Sequence, residues 1–152
     1  MSSGTAIRVG ADVVSIQQVA ESVDRFGPRY LERIYTDHEL RSCTGSAAAR
    51  TASLAARFAA KEATIKVLRP TGHQPDWRSM EVRRDPGGWC TIDLTGHAAA
   101  LAEEAEISEL AVSLSHEADM AAAVVVAVCQ KDDGTAHSSE LPSLLDVFGR
   151  NG

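Results

Sequence analysis

The segment Arg57-Phe58-Ala59-Ala60-Lys61-Glu62-Ala63-Thr64-Ile65-Lys66 constrains this chain most, because it sets charged side chains into a run of small, apolar residues, an unusual composition for a core helix. At 3.6 residues per turn Glu62 and Lys66 share a face, and Ala55, Phe58, Ala59 and Ile65 supply apolar bulk or close-approach surface around them. Such a pair is either an ordinary helical ion pair, worth about 0.2–0.5 kcal/mol, or part of a site for a metal or a phosphate. Lys61 points to a different side and reads as a structural ion-pair residue.

Two further segments gain meaning from this one. Ile7-Arg8-Val9-Gly10-Ala11-Asp12-Val13-Val14 reads as a short strand with one carboxylate among apolar neighbours, so Asp12 needs a partner. Leu110–Glu117 alternates as a strand does and ends in Ser115, His116 and Glu117, three polar side chains at a strand end. Around these the pattern predicts a strand over 6–14, helices over 16–26, 28–34 and 37–43, and a long helix over 51–68. Ser46 and Thr51 are both possible caps for the long helix, and Pro70 and Gly72 stop it. After an irregular loop over 71–77, strands over 80–84 and 89–94 flank the hairpin signal Asp85-Pro86-Gly87-Gly88. An alanine-rich helix over 95–105 then precedes strands over 109–115 and 120–129. Partial segregation of helices from strands points to an α+β fold.

The chain of 152 residues is about one domain, read as 1–130, with 131–152 a polar tail whose single apolar patch is Leu141–Phe148. The longest apolar run, Met120–Val128, is about half the length a spanning helix needs and is rich in β-branched residues, so it reads as a buried strand. No basic-then-apolar signal pattern opens the sequence, and a cytoplasmic location is expected. Cys43, Cys90 and Cys129 are odd in number and widely spaced, against a disulfide framework or a structural zinc site. A formal charge of −6 argues against a nucleic-acid partner. Arg25, Arg29 and Arg33 nonetheless recur every four residues: either a solvated face pairing with Glu21, Glu32 or Asp37, or a stripe for an acidic partner, with Gly27-Pro28 positioned to split it.

Taken in order, the Gly-Ala-Asp strand, the Arg-Phe-Ala-Ala-Lys-Glu-Ala helix with its later Lys, and the Ser-Leu-Ser-His-Glu strand resemble the phosphopantetheinyl transferases, specifically the short holo-acyl carrier protein synthase group. Arg29–Leu40 extends the resemblance over roughly residues 5–130. It implies an antiparallel sheet packed with one long helix and short helices. It also implies transfer of the phosphopantetheine arm of coenzyme A to a serine of an apo acyl carrier protein of fatty acid or polyketide synthesis, with Mg²⁺ required and adenosine 3′,5′-bisphosphate released. On that resemblance Asp12 and Glu62 are the metal ligands, and Glu62, or a water oriented by it, is the base for the serine hydroxyl. Lys66 stabilises charge on the departing phosphate, and His116 contacts coenzyme A. Arg57 and Arg50 are suited to its phosphates, as guanidinium groups are, a surface role standing open beside that one. Arg25, Arg29 and Arg33 dock an acidic carrier protein, and the group's usual assembly is a homotrimer with coenzyme A bound between neighbours.

The chain departs from the group's pattern in three places. Gln18 stands where an arginine often engages the carrier, Arg69-Pro70-Thr71-Gly72 replaces a glycine-richer loop, and Gly87-Gly88-Trp89-Cys90 stands where a Gly-x-Pro turn is common. Two alternatives follow: a Mg²⁺-dependent hydrolase of coenzyme A-like pyrophosphates, and a non-catalytic module binding carrier protein or coenzyme A. The second sits poorly with Asp12, Glu62 and Lys66, read as buried charges that cost several kcal/mol unless compensated.

Overall fold

The computed structural model describes residues 4–130; the expected tail over 131–152, with its Leu141–Phe148 patch, lies outside them. Strand β1 (Ala6–Ser15) leads into three short helices, α1 (Ile16–Phe26), α2 (Pro28–Ile34) and α3 (Asp37–Ser42), and then the long helix α4 (Ala47–Leu68). A 3₁₀ turn (Trp77–Ser79) opens the hairpin β2 (Met80–Arg84) and β3 (Cys90–Leu94). Helix α5 (Gly96–Glu104) and strands β4 (Ile107–Glu117) and β5 (Met120–Cys129) complete the α+β fold. β1, β5 and β4 form an antiparallel sheet with β5 in the centre, and β2 and β3 form a separate two-stranded sheet.

Local chemistry sets the helix boundaries. Gly27, at φ +54°, ends α1, and Pro28 opens α2, so the basic stripe is split where the sequence suggested. Thr36 and Glu39 form a reciprocal capping box at the start of α3. Of the two possible caps for α4, Ser46 is used: its hydroxyl accepts from the Ala49 amide, and the helix begins at Ala47, earlier than the expected 51. The Ala-Ala-Ala run that follows is strongly helix-forming, and inside it the Thr51 hydroxyl simply donates back to the Ala47 carbonyl.

Helix α4 lies on one face of the sheet through small residues. Ala55, Ala59, Ala60 and Ala63 are fully buried, and the inner row of β5, Ala121, Ala123, Val125, Ala127 and Cys129, is buried beneath them. Contact is closest at β1, where a methyl group on Gly10 would overlap the carbonyl oxygen of Ala63. Among the described residues the opposite face has no helical layer. Ile7, Val9 and Val13 are 67 %, 63 % and 61 % exposed, and Val124 and Met120 on β5 are exposed as well. β5 is therefore buried on one face only among the described residues, which corrects its reading as a buried strand.

Lys61 and Glu39 form a second anchor. Their side chains are 0 % exposed and their charged atoms 2.9 Å apart. The ammonium also donates to the carbonyls of Trp77 (2.8 Å) and Met80 (2.6 Å). The carboxylate accepts from the amides of Val82 (2.9 Å) and Thr36 (2.8 Å). Burial pulls the Lys61 pKa down, and the Glu39 carboxylate opposes that shift. The expected structural ion pair is thus present, and it ties α3, α4 and the hairpin together.

Two outcomes follow. Lys61→Met leaves the Glu39 carboxylate buried without its counter-charge and is expected to cost about 3–5 kcal/mol in chemical denaturation. Gly10→Ala is expected to cost about 1–3 kcal/mol by overpacking, because the obstructing atom belongs to the helix backbone and cannot rotate away.

Candidate active site

The close approach at Gly10 brings the next inward residue of β1, Asp12, to the last two turns of α4. The Lys66 ammonium is 3.2 Å from Asp12 Oδ1 and donates to the Ala11 carbonyl at 2.6 Å. The partner Asp12 requires is therefore Lys66, across a 54-residue separation. Glu62 lies one turn before Lys66 on the same helix. Burial raises the Glu62 pKa first, the nearby Asp12 carboxylate raises it further, and Lys66 works against both. Two mutually repelling carboxylates beside a single ammonium are a donor set that a hard dication would relieve, and Mg²⁺ commonly takes just one or two protein carboxylates. These charges are not buried as the sequence reading supposed: the Lys66 side chain is 51 % exposed and that of Asp12 22 %. They sit where α4 overhangs an edge strand, while the deeply buried charges are Lys61, Glu39, Arg57 and Arg8. Arg8 donates to the Val67 carbonyl at 3.0 Å, bracing β1 against the end of α4.

His116 and Arg57 come together elsewhere. They line a cleft of about 260 Å³ with Ser53, Arg84, Cys90 and Ser115, and neither Asp12, Glu62 nor Lys66 borders it. The sheet order explains the separation. Asp12 pairs with Ala123 and His116 with Ala121, so the two residues sit on edge strands on opposite sides of β5, about 10 Å apart across the sheet by two strand spacings and offset by two residues along it. Arg57 is 8 % exposed. Its Nη1 makes a long 3.4 Å bond to the Ser53 carbonyl, and its Nε is buried without a partner. The cleft carries two arginines and a histidine and no carboxylate, which suits an anion. Arg50 does not line it; it lies half-buried in the first turn of α4, where its charge acts on the buried Cys43 thiol.

The basic stripe divides as well. Arg29 and Arg33 border a groove of about 590 Å³ floored by Phe26, Tyr30, Phe58 and Trp77, the last two with ring centroids 5.3 Å apart. Arg25 lies 5.1 Å over the Phe26 ring and faces Gln18 and Glu21 on a neighbouring depression. Asp37, one of the expected partners for the stripe, is 3.2 Å from Arg78. The groove aromatics and the cleft residues Ser53, Arg84 and Cys90 were not singled out for a site from the sequence. Two of them carried a signal: Ser53 stands four residues before Arg57 on one helix face, and Cys90 lies in the Gly87-Gly88-Trp89-Cys90 departure from the group's pattern.

With this geometry in view, similarity to known proteins is extensive. A sequence model of the 4′-phosphopantetheinyl transferase superfamily matches residues 8–129. The holo-acyl-carrier-protein synthase of Desulforudis audaxviator is 39 % identical over 120 residues, covering 79 % of this chain and 91 % of that protein. The one from Koribacter versatilis is 41 % identical over 119 residues, covering 77 % and 94 %. Among solved structures, the ACPS–CoA complex of Chronobacterium ammoniagenes superposes with a TM-score of 0.73 at 34 % identity, covering 83 % of this chain and 99 % of that one. Residue order, fold and these relatives agree, and the chain belongs to the 4′-phosphopantetheinyl transferase superfamily, in its holo-acyl-carrier-protein synthase group.

Proposed function

We propose that this protein transfers phosphopantetheine from coenzyme A to a serine of an acidic acyl carrier protein of fatty acid or polyketide synthesis, in the cytoplasm, with Mg²⁺ required and adenosine 3′,5′-bisphosphate released. The observation that carries the reading is the convergence of Asp12, Glu62 and Lys66, two carboxylates and an ammonium brought from β1 and α4 to one partly open rim. Asp12 and Glu62 would hold the Mg²⁺, which when bound neutralises charge on the pyrophosphate of coenzyme A. Lys66, already anchored on Ala11 and Asp12, presents its ammonium to the departing phosphate. Glu62, its pKa raised by burial and by Asp12, is suited to accept the serine proton, since a weaker acid makes a stronger base. Arg57 and His116 fit the remaining phosphates, with the Arg57 Nε free to donate. The groove between Arg29 and Arg33, apolar in its floor and basic on its rim, fits an acidic amphipathic helix of the carrier.

This division of labour favours a site shared between copies of the chain. The carboxylate rim and the anion cleft lie on opposite edges of the same sheet, so one coenzyme A engages both most directly between neighbours. The apolar outer face formed by Ile7, Val9, Val13 and Val124 supplies the surface to bury between copies. The number of copies, three, comes from the family resemblance.

Incubation with coenzyme A, Mg²⁺ and a panel of apo carrier proteins is expected to add one phosphopantetheine to a carrier by intact mass, and chelation should abolish the gain. Asp12→Asn and Glu62→Gln should each lower transfer by about 100-fold or more with the melting temperature nearly unchanged. Wild-type turnover in both variants would overturn the metal assignment. Phosphopantetheine released into water without a carrier would favour the hydrolase. Sedimentation should give a trimer for the wild type, and Val9→Glu with Val124→Glu should give a smaller species that has lost transfer along with assembly.

A further inference from the structure

The cleft that holds Arg57 and His116 also contains a free thiol. Cys90 opens β3, directly across the hairpin from Arg84, and both face the cleft. It is partly exposed, whereas Cys43 and Cys129 are buried. A lone thiol says little, but this one shares its cleft with Arg57, a side chain more than nine-tenths buried whose Nε has no hydrogen-bond partner. Arg84 and His116 complete a cationic lining without a carboxylate, in a chain whose overall formal charge is −6. Such a pocket raises the local concentration of small anions and disfavours small cations.

We propose that Cys90 is a thiolation site selective for anionic low-molecular-weight disulfides, and that the adduct reversibly closes the cleft. The Cys90 thiolate attacks one sulfur of the disulfide. The reagent's S–S bond breaks, a mixed disulfide forms on Cys90, and the other half leaves as a thiolate that takes up the proton Cys90 gave up. Oxidation state is conserved across the exchange, and a reducing thiol reverses it. Arg57, Arg84 and His116 hold the carboxylates or phosphates of the attached half, so the adduct occupies the space an incoming phosphate needs. Its effect on transfer rests on the reading of this cleft as part of the coenzyme A site.

The test treats the full-length reduced protein with coenzyme A disulfide, oxidised glutathione or cystamine, a cationic disulfide, and follows intact mass and carrier modification together. A single adduct mapped to Cys90 is expected, forming about tenfold faster with the anionic reagents than with cystamine. The faster of the two anionic reagents shows whether the cleft prefers phosphate or carboxylate groups on the attached half. Transfer should fall to about a tenth and return with dithiothreitol. Cys90→Ser should gain no adduct and keep its own untreated rate after treatment. Arg57→Met should bring the anionic reagents down to the cystamine rate. No adduct on Cys90, equal rates for anionic and cationic disulfides, or an adduct that leaves transfer intact would each overturn the proposal. Absence of transfer by the untreated protein would instead count against the transferase reading, and the reagent rates would still decide whether Cys90 is an anion-selective thiolation site.

Discussion

The backbone of Gly10 lies against the carbonyl of Ala63, and this approach of strand to helix governs the rest of the architecture. A helix surfaced with larger residues would ride higher on the sheet. The alanines of α4 and the alanine-rich inner row of β5 let the two layers close, so that Asp12 reaches Lys66, 54 residues later in the chain. The same closeness explains the modest hydrophobic bulk of the interface. Its stabilisation comes from area buried at short range, reinforced where Arg8 meets Val67 and Lys61 meets Glu39.

Much of this was legible from the residues. Order along the chain, the break at Gly27-Pro28 and the hairpin around Gly87-Gly88 are local chemistry, and local chemistry is written in short windows. The facing of Glu62 and Lys66 followed from the helical period. Choice between alternatives was less legible. Ser46 and Thr51 have equivalent capping chemistry, and the helix-forming run after Ser46 decided between them. The partner of Lys61 was hidden because Glu39 lies on another helix, and its role in a capping box gave no hint of the ion pair. Lys66 was read against Glu62, its neighbour in sequence, whereas the sheet supplied Asp12 as well.

The separation of the carboxylate rim from the anion cleft was also beyond the sequence. Motif order places Asp12, Glu62 and His116 on three elements, but only strand order says that β1 and β4 are opposite edges with β5 between them. A linear reading gathers them into one site. The folded chain keeps Asp12 and Glu62 together and sets His116 at the other edge of the sheet, with exposed valines on the far face.

The Lys61–Glu39 pair has a consequence in time. Its atoms come from α4 and α3, and their remaining partners from the 3₁₀ turn and the hairpin, so it is complete only when four segments have met. Until then both charges hold their water, and pairing must strip it away at the last stage of assembly. Contacts that form after the folding barrier are the ones that slow escape from the native state. A pair that needs four segments is expected to form late and so to act as a latch, lengthening the lifetime of the folded chain more than it speeds the chain's arrival there.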